Sequence, residues 1–157
     1  MRFFAASSIA RGRSSAARSA TAAITAVVAA GLLTGCMLFA RPPKDVDYSR
    51  DRVSAAGRYR VAIHPPGDSI PQGKLQRWTL HLETAAGAPV DSAAIVVDGG
   101  MPQHGHGLPT KPRVTRALGN GDHLVEGLKF NMGGWWVVKF RVSAAPGADS
   151  VVFNVKL

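Results

Sequence analysis

Two imidazoles and a thioether crowd into Gly99-Gly100-Met101-Pro102-Gln103-His104-Gly105-His106-Gly107-Leu108-Pro109, a stretch otherwise made of glycine, proline and small polar residues. Imidazole nitrogen ligates copper, zinc, iron and nickel, whereas a thioether adds affinity mainly for copper, above all Cu(I). The mixture points to copper as cofactor, with Cu(I) favoured, and to Met101, His104 and His106 as ligands. One glycine separates the histidines, and residues two apart in an extended segment project to the same side. Both rings can then face one ion. Pro102 and Pro109 restrict the backbone and so lower the entropy that binding must remove. The plainer alternative is a loop whose histidines hydrogen-bond nearby carbonyls and whose Met101 covers the end of the core.

A second thioether, Met132, stands in Asn131-Met132-Gly133-Gly134, where a turn is expected, and completes the candidate set as a fourth ligand. Methionine is often core filler, but turns are usually exposed. Trp135 and Trp136 occupy opposite faces of the following strand, so one fills the core and the other lies near the site. His64 is a candidate fifth donor, His81 is expected to be solvated, and His123 is excluded because it falls at the opposite end. Asp98 is the only carboxylate close to the histidine loop. No Ser-His-Asp or Cys-His arrangement occurs, and no phosphate-cradling glycine loop precedes a helix, so no enzyme is expected. Blue-copper electron transfer needs a cysteine thiolate beside two histidines, and the single cysteine, Cys36, lies far upstream.

The elements that must position these side chains read as strands. Tyr59, Val61 and Ile63 alternate with polar neighbours, as do Trp78, Leu80 and Leu82, then Trp136, Val138, Phe140 and Val142, then Val151, Phe153 and Val155. Alternation of this kind marks half-buried strands. Residues 93–98, 112–118 and 122–130 bring the expected set to seven. No segment after Gly57 carries a helical stripe, so the expected fold is all-β, a seven-stranded antiparallel immunoglobulin-like (cupredoxin-like) β-sandwich. If successive strands alternate in direction, connections 65–74, 99–111 and 131–134 share one end. Met132 then joins Met101, His104 and His106 there.

The amino terminus reads as an export address. Residues 1–35 carry Arg2, Arg11, Arg13 and Arg18, no acidic residue, and then an uncharged Ala/Val/Leu run, which is the layout of a signal peptide. The run ends in Leu33-Thr34-Gly35-Cys36, the pattern of a lipoprotein processing site, so Cys36 is the expected lipidation site and mature amino terminus. The competing reading is an uncleaved anchor, since residues 19–40 are uncharged and about 20 apolar residues span a bilayer. Both place the domain on the periplasmic side, attached to the membrane, and Met37 after Cys36 favours the outer membrane. Residues 36–57, with Pro42-Pro43 and mixed charge, read as a flexible tether, and residues 58–157 as the sandwich. The formal charge of +9 falls to +5 once the four leader arginines are removed from nineteen basic residues set against ten acidic ones. The remaining basic residues are scattered singly, which gives no support to nucleic acid as partner.

Two blocks carry a family likeness: Met101-Pro102-Gln103-His104-Gly105-His106-Gly107-Leu108-Pro109-Thr110, and Val125-Glu126-Gly127-Leu128-Lys129-Phe130-Asn131-Met132-Gly133-Gly134-Trp135-Trp136. Through them the chain, from Tyr59 to Leu157, resembles the YtkA-like and FixH-like domains of bacterial envelope proteins. Gly133 stands where that block has a proline. The FixH-like resemblance implies a link to assembly of a copper-containing oxidase, and thus a copper-receiving envelope protein as partner. The expected function is a membrane-tethered copper carrier or buffer. Its alternative is a lipoprotein interaction module in which the loop docks a partner without metal.

Overall fold

A computed structural model describes residues 43–157. Nine strands lie among them: β1 (Asp51–Val53), β2 (Tyr59–His64), β3 (Gln76–Thr84), β4 (Ala94–Met101), β5 (His106–Gly107), β6 (Arg113–Gly119), β7 (Asp122–Leu128), β8 (Trp135–Ala144) and β9 (Gly147–Lys156). They form two antiparallel sheets, ordered β1-β2-β3-β7-β6 and β5-β4-β8-β9. This is the antiparallel sandwich expected, with two strands more than the seven counted from sequence. The additions are β1, inside the segment read as tether, and β5, inside the histidine loop. With three and two residues they are too short for alternation to show.

The alternation does dictate the core. Tyr59, Val61 and Ile63 from β2, Trp78, Leu80 and Leu82 from β3, and Val125 and Leu128 from β7 face Val97, Trp136, Val138, Phe140, Phe153 and Val155 of the other sheet, all buried. Each such aliphatic or phenyl side chain contributes about 1.5–3 kcal/mol by leaving water. No helix among the described residues is long and apolar enough to cross a membrane.

The register fixes the two ends. His64 pairs with Thr79 and Gln76 with Leu128, so connections 65–75, 102–112 and 129–134 meet at one end, as alternation of direction requires. They are tied there by Gly73 N–H to Phe130 O at 2.7 Å, Gln72 Nε2 to Asn131 O at 3.2 Å, and a reciprocal pair between Gly134 and Leu157. At the other end Asp149 accepts from Ser54 Oγ, Ala56 N and Arg58 N at 2.6–3.2 Å, which draws residues 54–58 into the fold. Ser54 is itself buried. The sandwich thus begins before residue 58, the boundary expected from composition.

Candidate metal centre at the loop end

Met101 does not lie in the loop, as its glycine-rich setting implied, but closes strand β4. Gly99 and Gly100 carry the strand through because two other backbones crowd it. A Cβ on Gly99 would come within 2.4 Å of Val137 O, and one on Gly100 within 2.5 Å of His106 O. Glycine inside a strand commonly marks such close approach. Gly100 pairs with Val137 on one side and with Gly107 on the other, and Met101 pairs with His106. Continuing the same register sets Trp136 beside Met101, so Trp136, Met101 and His106 form one row across β8, β4 and β5. Met101 is 1% exposed. Its terminal methyl occupies the space over Gly134, where a Cβ would sit 2.6 Å away.

The histidines are brought together by a turn and not by an extended segment. Pro102–His104 form a single 3₁₀ turn with proline at its start, and Gly105, at φ +65°, reverses the chain in the left-handed region that glycine enters at least cost. His106 then opens β5. Both histidines remain exposed, with ring centroids 5.9 Å apart and planes inclined by 26°. His106 Nδ1 lies 3.1 Å from Gly107 O. A carbonyl only accepts, so Nδ1 is the donor in this contact, and in the neutral ring Nε2 is then the nitrogen with a lone pair to offer. Metal-binding histidines are commonly oriented this way.

The two imidazoles meet one geometric requirement of a shared metal ion. Two imidazoles on one ion, with metal–nitrogen bonds of about 2 Å, keep their centroids roughly 5–6.5 Å apart, and the observed separation falls inside that span. His106 meets the edge of Trp136 at 5.5 Å; Trp136 in turn meets Phe130 at 5.3 Å, and Phe130 stacks on Trp78 at 5.8 Å. This aromatic chain joins the exposed imidazole to the core. Trp136 Nε1 donates to Met132 O at 3.0 Å, which fixes the 131–134 turn against the same indole, with Met132 half-buried on the core. Trp135 faces the other way and donates from Nε1 to Asn154 Oδ1 at 2.9 Å.

The other candidates separate from this centre. His64 shares the loop end but is exposed on β2, the neighbour of β1, which contacts β9 at the opposite side from β4 and β5. His123 is buried at the far end with Nε2 2.8 Å from Val90 O. His81, expected to be solvated, is half-buried between Asp122 (2.7 Å at Nδ1) and Glu83 (3.2 Å at Nε2). Chiefly through the Asp122 hydrogen bond, its pKa is raised from the ordinary 6.5. Asp98 turns its carboxylate to Gly99 N–H. Among the described residues no three His, Cys, Asp or Glu side chains converge on a metal position. Cys36, the expected lipidation site, lies outside the described residues. Sequence reasoning missed Gly134; its signal is the doubled glycine before a strand.

The model of the YtkA-like family matches residues 53–141, from the end of β1 into β8, which takes in the histidine loop and the 131–134 turn. The chain belongs to the YtkA-like family. No curated protein matches this YtkA-like chain. Among solved structures it is similar to the ZirS C-terminal Domain, at 9% identity and a TM-score of 0.37, over 76% of this chain and 84% of that one.

Proposed function

We propose that this YtkA-like protein is a membrane-tethered, extracytoplasmic copper-binding protein that carries or buffers copper, with Cu(I) favoured. His104 and His106 are its exposed ligands, and the thioethers of Met101 and Met132 complete the set. The observation that carries the reading is the pairing of two exposed rings with centroids 5.9 Å apart, one of which has Nδ1 3.1 Å from Gly107 O and would therefore offer Nε2 to an ion. Thioether sulfur supports the choice of Cu(I) over harder ions. Copper would supply coordination alone, and the chain's residues would hold and release it.

Attachment to the envelope membrane rests on the Cys36 pattern and the basic, then apolar, leader. Delivery to a copper-receiving envelope protein, such as an oxidase under assembly, rests on the FixH-like resemblance. An anaerobic titration against a Cu(I) chelator tests the ligand set. The wild type should bind one copper per chain, and His104→Ala/His106→Ala should bind at least about tenfold more weakly with its fold intact, since exposed loop substitutions change stability by roughly 0.5 kcal/mol or less. Equal affinity in the two proteins would refute the site and leave a metal-free docking module.

A further inference from the structure

Four lysines gather at one end of the sandwich. Lys74 precedes β3, Lys111 precedes β6, Lys129 follows β7 and Lys156 ends β9, which places all four ammonium groups at the loop end. Among the described residues none of them pairs with a carboxylate. Carboxylates near them include Glu126, Asp47, Asp51, Asp68 and Asp98. Glu126 is held by Arg77 at 2.7 Å and by Thr115, Asp47 by Arg52, while Asp68 and Asp98 are exposed. At the far end Glu83, Asp91, Asp122 and Asp149 are interspersed with Arg58, Arg60, Arg116 and Arg141, and no lysine lies there among the described residues.

An apolar feature coincides with the basic crown. Leu75 is 69% exposed, the most of any large apolar side chain described, and it flanks a cleft with Pro66, Pro71 and Gly127. Chain entry falls at the same end. β1 runs antiparallel to β2, so the residues before it approach from where β2 leaves, and Tyr48 and Arg50 lie beside Ile63, Pro65 and Lys156.

From the coincidence of unpaired lysines, exposed Leu75 and chain entry, we propose that the loop end seats on an anionic phospholipid surface, with Leu75 at the acyl boundary and the lysines at the headgroups. Lysines near such a surface are each attracted to it, and the attraction fades within a Debye length. The histidine loop then opens toward the bilayer and not toward bulk solvent. This rests on the membrane-tethered reading above, and adds an orientation to it.

The test uses the full chain on vesicles of phosphatidylcholine, with and without about 30% phosphatidylglycerol, read by flotation and by amide hydrogen exchange. Flotation with both lipids reports the tether. Seating predicts that amides of residues 72–76 and 129–134 exchange at least about fivefold more slowly when phosphatidylglycerol is present. The slowing should persist in His104→Ala/His106→Ala, shrink in Leu75→Asp, and vanish in Lys74→Glu/Lys111→Glu/Lys129→Glu/Lys156→Glu or in high salt. Flotation with equal exchange on both lipids overturns the seating and leaves the tether standing. Failure to float with either lipid overturns both. Protection of the same amides by soluble polyglutamate but not by phosphatidylglycerol assigns the face to an acidic protein and overturns the lipid proposal.

Discussion

Replacing Gly134 by alanine should cost far more than its place in an exposed turn implies. Its φ of +120° is open to glycine and strained for any residue with a Cβ, a penalty of about 1–3 kcal/mol. The added methyl group would also lie 2.6 Å from Met101 Cε. Because Met101 is flexible, it yields by leaving its rotamer, at about 0.5–1.5 kcal/mol. The sum, about 1.5–4.5 kcal/mol, should appear in urea denaturation as a lower midpoint at unchanged slope. A thermal shift of roughly 4 °C per kcal/mol should accompany it. A double-mutant cycle with Met101→Ala separates the two parts. Met101→Ala alone should cost about 2–5 kcal/mol as a buried truncation. Once the methionine is gone the contact share disappears, so the cycle should return a coupling of about 0.5–1.5 kcal/mol while the backbone share remains. A loss below about 0.5 kcal/mol for Gly134→Ala, or costs additive to within about 0.3 kcal/mol, would refute the claim that Gly134 makes room for Met101.

Met101→Leu/Met132→Leu keeps apolar volume and should cost under about 1.5 kcal/mol per site, yet weaken Cu(I) more than Cu(II); equal loss for both ions in competition titrations would count against thioether ligation. Asp149, although partial burial opposes its charge, is held at about 2 by Ser54 and the Ala56, Ser150 and Arg58 amides. Its lowered pKa makes its stabilising effect complete above the ordinary 3.8 and lost as pH falls through about 2, so acid titration of Tm should show a drop in that window that Asp149→Asn lacks. His81 has the opposite sign: its raised pKa stabilises the fold fully below 6.5 and progressively less as pH rises through the higher folded value. Melts of His81→Gln should therefore show a flatter pH dependence above 6.5 than the wild type, and identical profiles would refute the clamp.

The long strands were legible because burial imposes a period of two on them. Tyr59-Val61-Ile63 and Trp136-Val138-Phe140 lie inward as the alternation requires, and the sharing of one end by loops 65–75, 102–112 and 129–134 follows from antiparallel order alone. What escaped was set by contacts between segments remote in sequence. β1 exists because β2 offers it an edge, and residues 54–58 are ordered because Asp149, about ninety positions later, accepts their donors. Neither leaves a local pattern. At the candidate site, an extended spacing would put His104 and His106 on one side, whereas a left-handed glycine within a turn is what brings the rings together. Gly99-Gly100 resembles a loop and makes Met101 look like a loop residue; only the backbones of Val137 and His106 explain why a strand passes through that pair.

β5 holds its place through two paired residues, with Leu108 N–H to Gly99 O at 3.0 Å extending the contact, while β8 pairs along ten residues with β9. So short a flap opens by local fluctuation far more often than the sandwich unfolds. His104 and His106 ride on the flap, whereas Met101 stays behind in the core. An ion held between them would face two hosts on different clocks. Its residence time would be governed by the lifting of a two-residue edge, so release would need no disturbance of the fold that keeps the thioether in position.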